Sequence, residues 1–192
     1  MNELPKQIRI LKNEPILFLT LPISLPILII IILISPIIHI RIGFLHNDRI
    51  GHFSLNTELY LLEKKHFKEK LSSIFKIDLF YLPRKNSCNK TLEKLWRQKL
   101  IFLPKIILRP LCLIIRSSRV LSKYFRCGDT SNGERDIHGL LDIYSPTIKL
   151  SEEFISKGKE ELKKIGIPES AKIVCLIARD KAYLRKIYKV DA

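Results

Sequence analysis

The chain has no Cys-x-x-Cys pair. Its four cysteines, Cys88, Cys112, Cys127 and Cys175, are scattered, and Cys112 and Cys175 sit inside apolar runs. That spacing excludes the common zinc-ligand patterns and a disulfide framework, and it points to reduced, mostly buried thiols in a cytoplasmic setting. Acidic residues are also scarce: 19 Asp and Glu stand against 34 Lys and Arg, for a net charge of +15. Such an excess predicts attraction to polyanions, whether nucleic acid, anionic lipid or phosphorylated substrates. No recognition motif accompanies the charge and few aromatics are interleaved with it, so nucleic acid ranks last among these partners.

A third absence is charge of either sign from Pro15 to Ile38, a run that also lacks histidine. An apolar stretch of about 20 residues suffices to cross the hydrocarbon layer. The run is too long for the core of a secretory signal, and no small-residue cleavage site comes after it. The expectation is a membrane segment from Ile16 to about Ser35. Pro22 and Pro26 fall in its middle, so it is either a kinked spanning helix or a helix that dips into one leaflet and returns. Basic residues flank it on both sides, which leaves orientation open. The expected location is the inner (cytoplasmic) membrane, with the folded part on the cytoplasmic side.

What is present begins at Ile38. Ile38, Ile40, Ile42 and Phe44 alternate with His39, Arg41 and Gly43, which is strand periodicity. Gly43 either weakens that strand or lets another backbone approach. Arg49-Ile50-Gly51-His52 turns the chain, and Leu55, Leu59 and Leu62 then recur at helical spacing, toward a core. His52 and Asn56 are four apart and share the other face. Ile77, Leu79 and Tyr81 mark a second strand ending at Pro83. A strand, a helix and a strand at this spacing predict a βαβ unit and a parallel, Rossmann-like sheet. The Arg84–Ser87 loop then lies on the ligand side of the sheet.

Arg116, Arg119, Lys123 and Arg126 step by three, four and three, which predicts one basic helical stripe opposite Leu111, Ile114, Leu121 and Phe125. With Trp96 as an aromatic anchor, such helices suit an anionic membrane surface; a solvated basic face over an ordinary core is the other reading. Cys127 to Thr147 reads as a long loop. It holds Asp136, His138 and Asp142, whose spacing matches no standard ligand pattern, so no metal is expected. Ser151 to Ile165 predicts a capped helix closed by Gly166 and Pro168. Lys172 to Ala178 predicts a buried strand with Arg179 and Asp180 at its carboxyl end. Arg179 there either forks onto a phosphate or pairs with Asp180 at the surface.

Arg49-Ile50-Gly51-His52 and Asn56-Thr57-Glu58-Leu59-Tyr60-Leu61 together resemble the signature of a bacterial family of GT-B type glycosyltransferases. Tyr81-Leu82-Pro83-Arg84, Asn89-Lys90 with Trp96, Gly166-Ile167-Pro168 and Val174-Cys175 through Arg179-Asp180 extend the likeness from about Ile37 to Leu184. The resemblance implies two Rossmann-like domains with the active site in the cleft between them, a nucleotide-sugar donor, a surface-polysaccharide or lipid-linked acceptor, and no cofactor. It implies His52 and Glu58 as catalytic residues, Arg49, Gly51 and Asn56 as substrate-binding residues, and Arg179 as the donor-phosphate contact. The expected division is residues 1–36 as tail and membrane segment, 37–148 as an N-terminal Rossmann-like domain, and 149–192 as the start of a truncated donor-binding domain. The missing remainder implies that this portion does not catalyse transfer alone. A different class stays open: a non-catalytic basic membrane protein that binds anionic lipid or a protein partner.

Overall fold

The computed structural model describes residues 16–68, 75–128, 136–172 and 174. The chain divides into two units, Met1–Ile148 and Lys149–Ala192. The first is an α/β unit built on four parallel strands: β1 (Ile38–Phe44), β2 (Phe75–Tyr81), β3 (Ile101–Phe102) and β4 (Arg126–Cys127), in the order β3-β2-β1-β4. Parallel neighbours need a crossover between them. Helix α2 (Thr57–Lys68) lies in the crossover from β1 to β2, as the alternating strands predict. The strand order runs outward from β1 to β3 and then returns to the other side of β1. It is consistent with a Rossmann-like half sheet, whose order reverses at its first strand.

Both faces of the sheet are covered. On one face Ile42 and Tyr81 join Leu108, Leu111, Cys112 and Ile115 of helix α4 (Lys105–Ser117) and Phe125 of helix α5 (Arg119–Phe125). On the other, Phe80 and Cys127 join Phe53, Leu45 and Trp96, the last from helix α3 (Lys90–Arg97). Period-two alternation puts even and odd strand positions on opposite faces, so each strand feeds two cores.

Helix α1 (Ile16–Ile34) forms where the uncharged run predicts it, with Pro22 and Pro26 inside. Among the described residues, however, no helix is long and apolar enough to cross a membrane. Part of α1 is committed to the domain: Ser24, Leu28 and Ile31, spaced by four and three, are buried, and Leu28 and Ile31 join the core formed with α4. Other apolar side chains of α1 are exposed, among them Ile23, Leu25, Ile29, Ile30 and Leu33.

Three other expectations are corrected. The chain after Gly51 enters a π-helical turn, His52–Asn56, before α2 begins. That wide turn holds an extra residue and rotates the register. Phe53 is therefore buried with Leu59 and Leu62, while Leu55 points outward. The basic stripe is not one helix: Ser118 breaks it, its side chain accepting from the Leu121 N–H to cap α5, and Arg126 belongs to β4. A free serine hydroxyl competes with the helix ladder and prefers such a cap. Trp96 is no membrane anchor. It is buried, and its indole Nε1–H donates to the Phe53 carbonyl at 2.8 Å.

The loop expectation holds for residues 136–139, with a short helix α6 (Leu140–Ile143) after them. Asp136 caps that helix by accepting from the Leu140 and Leu141 N–H groups, both at 2.8 Å. In the second unit, helix α7 (Glu152–Lys164) starts at a capping Ser151 and ends on Gly166 at φ +83°, as its sequence predicts. Arg179, Asp180 and Cys175 lie outside the described residues. Of the other cysteines, Cys112 and Cys127 are buried and Cys88 is exposed, and none of the three is in a disulfide.

Candidate functional site

Open parallel sheets bind ligands beyond the carboxyl ends of their strands. Here a cavity of about 340 Å³ opens at that place, lined by Phe44, His46, Asp48, Pro83, Arg84, Lys105 and Arg109. Phe44 ends β1, and His46 and Asp48 come directly after it. Pro83 and Arg84 come after β2. Lys105 and Arg109 come after β3 and stand one turn apart on α4. The ends of β2 and β3 thus deliver three cations, and the end of β1 faces them with one carboxylate and a histidine.

Asn47 sets the geometry of this rim. It is buried, and its Nδ2 donates to the Arg84 carbonyl at 3.0 Å and to Ser87 Oγ at 2.9 Å, while its Oδ1 accepts from the Arg84 N–H at 3.0 Å. Its own carbonyl accepts from the Cys88 N–H at 2.8 Å. Ser87 passes a hydrogen bond on to Glu93 at 2.6 Å, and Glu93 pairs with Arg97. One side chain therefore ties the loop after β1 to the loop after β2. Removing it deletes three part-buried hydrogen bonds, each worth ~0.5–1.5 kcal/mol. Asn47→Ala is expected to lower the unfolding free energy by about 2 kcal/mol in urea titration and to expose the Arg84–Ser87 loop to proteolysis.

Two histidines meet here, His46 in the lining and His52 behind it. The His46 ring stands edge-on to Phe44 at 5.1 Å and 5.7 Å from the His52 ring, and its Nδ1 lies 4.0 Å from Asp48. Asn56 Nδ2 donates to His52 Nδ1 at 3.2 Å, as the four-residue spacing predicts. That bond makes Nδ1 the acceptor and leaves the proton on Nε2 in the neutral ring.

The other residues implied by the family likeness divide. Arg49, Gly51, His52 and Asn56 are consecutive with the π-turn but do not line the cavity; His52 reaches it only through its contact with His46. Gly51 has helical angles, φ −61° and ψ −50°, and nothing stands within 4 Å of where a Cβ would be, so it is no obligatory turn glycine. Glu58 is elsewhere occupied: its two oxygens accept from the N–H and the hydroxyl of Thr147, both at 2.6 Å. It fastens the end of the first unit to α2. Among the described residues, no three His, Cys, Asp or Glu side chains gather as metal ligands.

Sequence reasoning missed a second polar centre. Arg41 of β1 and Asp78 of β2 are register partners on the α2 face. Asp78 Oδ1 accepts from Arg41 Nε at 2.7 Å, and its Oδ2 accepts from Lys64 Nζ at 2.6 Å and the Tyr60 hydroxyl at 2.5 Å. Burial alone would raise the Asp78 pKa, but hydrogen bonds from Arg41, Lys64 and Tyr60 outweigh it and hold the carboxyl at about 2. Burial pushes the Tyr60 hydroxyl well above its usual range, so it stays a donor. The available signal was two opposite charges at the same parity of two apolar strands.

Set beside known proteins, the chain matches no family model, no curated protein and no solved structure.

Proposed function

We propose that the chain is the acceptor-side portion of a membrane-associated glycosyltransferase of GT-B type, one that moves a sugar from a nucleotide-sugar donor to a surface-polysaccharide or lipid-linked acceptor. The observation that carries this reading is the cationic cavity beyond three parallel strand ends, with two histidines at its edge. Sugar transfer needs negative charge on the leaving diphosphate neutralised and the acceptor hydroxyl deprotonated. Arg84, Lys105 and Arg109 supply the charge for a phosphorylated group. His46, beside Asp48, supplies the proton acceptor, while His52, its Nδ1 taken up by Asn56, presents an Nε2–H donor that positions the acceptor hydroxyl. Arg49 stands by as a second cation, Gly51 opens the turn, and Glu58, which holds Thr147, has a positioning role. Arg179 remains the proposed donor-phosphate contact.

The membrane part of the reading rests on the uncovered isoleucines and leucines of α1, embedded in one leaflet rather than crossing it. We place the folded part on the cytoplasmic face of the inner membrane. Cys88 is an exposed thiol and tests this directly. An impermeant maleimide is expected to leave it unlabelled in intact spheroplasts and to label it once they are opened; labelling of intact spheroplasts rejects that side.

The exposed apolar helix with a net charge of +15 also favours the second class, a basic membrane protein without catalysis. A panel of nucleotide sugars separates the two by ligand-observed NMR on the chain. Binding that weakens in His52→Ala supports the transferase. Vesicle binding with no nucleotide-sugar signal overturns it in favour of the second class.

A further inference from the structure

The cavity and the apolar helix meet on one element. Lys105 and Arg109 line the cavity from the first two turns of α4. Leu108, Leu111, Cys112 and Ile115 of the same helix share a buried core with Leu28 and Ile31 of α1. On other faces of the same turn, Ile106 and Ile107 are exposed, 51% and 46%, and α1 adds Ile23, Leu25, Ile29, Ile30 and Leu33 to the uncovered apolar surface. Two cations of α4, with Arg84 across the cavity from the loop after β2, therefore stand at one end of a helix whose flank and neighbour expose apolar side chains.

From this we propose that the cavity is a site for the terminal phosphate of an amphiphile, a lipid phosphomonoester or diphosphate whose hydrocarbon lies along α1 and the exposed flank of α4. The inference rests on the reading of the cavity as an acceptor site and names the acceptor's chemical class. A terminal phosphate offers several acceptor oxygens and more than one negative charge. Arg84 and Arg109 can each fork onto two of those oxygens, and Lys105 adds a point charge. The positive end of α4 begins at Lys105 and adds to the same field. Asp48, also in the lining, repels a second carboxylate or phosphate from its side, so the phosphate is held toward Arg84 and α4. A phosphodiester lipid with a single charge and a bulky headgroup satisfies fewer of these donors. A soluble phosphate satisfies the donors but leaves the isoleucines uncovered.

Vesicle flotation with the full chain tests this. Phosphatidylcholine vesicles carry either phosphatidic acid, whose phosphate is terminal, or phosphatidylglycerol, whose phosphate is not, at matched surface charge. The expected result is about tenfold tighter binding to phosphatidic acid. Arg84 is exposed, so Arg84→Glu leaves the fold intact, checked by circular dichroism and the urea midpoint. That variant is expected to bind both vesicles equally. Ile29→Glu with Ile30→Glu is expected to lose both vesicles and still bind inorganic pyrophosphate. Equal binding of both lipids by the wild type, or an unchanged preference in Arg84→Glu, overturns the site. Pyrophosphate binding with no gain from vesicles assigns a free phosphate instead and overturns the lipid source. Loss of the preference while nucleotide sugars still bind removes this inference alone. A preference that persists with no nucleotide-sugar binding removes the transferase reading alone.

Discussion

Asp78→Ala is expected to lower the unfolding free energy by about 3 kcal/mol, the low end of the cost of deleting one partner of a buried ion pair. The side chain of Asp78 is only 2% exposed and accepts hydrogen bonds from three residues. Without it, Arg41 and Lys64 face each other as like charges and the Tyr60 hydroxyl loses its acceptor. Arg41 and Lys64 keep 26% and 36% of their side chains in solvent. Partial hydration of those cations is why the loss stays near the lower bound. Asp78→Asn keeps the shape but has one acceptor oxygen. At most the Lys64 and Tyr60 hydrogen bonds survive, while its amide NH2 faces the Arg41 Nε–H. With the charge lost as well, its cost is about 2 kcal/mol, in line with hydrogen bonds to charged groups. Urea titrations of both variants check the order; a variant within about 0.5 kcal/mol of the wild type, the scatter of ordinary surface changes, would show the centre to be idle.

The same carboxylate sets an acid limit. Its pKa is lowered from 3.8 to about 2 in the folded chain. Between those values the unfolded chain binds more protons than the folded one, so stability rises with pH. The contribution is present in full above about pH 4 and is lost as pH falls through about 2. A shift of this size corresponds to about 2 kcal/mol. In Asp78→Asn that part of the pH dependence should vanish while the remainder of the curve keeps its shape.

Why was this centre invisible in the sequence when the strands around it were plain? Alternation in Ile38–Phe44 and Phe75–Tyr81 marks the strands, and their spacing marks the crossover. Alternation also suggests that Arg41 and Asp78 face water. They do not, because α2 covers that face, and only the register makes them partners. The cavity has the same history. The end of β2 was readable as a ligand-side loop, and Arg84 was placed there, but the two-residue β3 is too short to show alternation, so Lys105 and Arg109 were not placed at a strand end. Convergence of Arg84 with His46 and Arg109 depends on the strand order and on Asn47, whose hydrogen bonds reach 37 and 40 residues along the chain. The π-turn left no mark in the apolar pattern, so Leu55 stood in for Phe53. The break at Ser118 did leave one: adjacent Ser117 and Ser118 precede Arg119, and a serine before a new turn is a cap signal. The family likeness implied Glu58 as catalytic, and nothing near it in sequence shows its engagement, because its partner Thr147 lies 89 residues away.

The glycine the sequence favoured and the glycine the fold needs are different residues, and substitution separates them. At Gly43 an added Cβ would stand 2.0 Å from the carbonyl oxygen of Cys127 and 2.8 Å from its carbonyl carbon. Both contacts are with backbone, so no side-chain rotation relieves them. Gly43→Ala must therefore push β4 away from β1, breaking the pairs Ile42 with Arg126 and Gly43 with Cys127. Overpacking alone costs about 1–3 kcal/mol. Losing the short edge pairing as well puts the expected loss at about 3 kcal/mol, with Cys127, now buried, becoming accessible to thiol reagents. At Gly51 the backbone is already helical and the space is open. Alanine there narrows the unfolded ensemble without strain, and Gly51→Ala is expected to stabilise by about 0.5–1 kcal/mol. The pair is read in one urea experiment with thiol labelling. If Gly51→Ala destabilises and Gly43→Ala does not, the turn after β1 is built as its sequence suggested, and β4 does not pass against Gly43 at all.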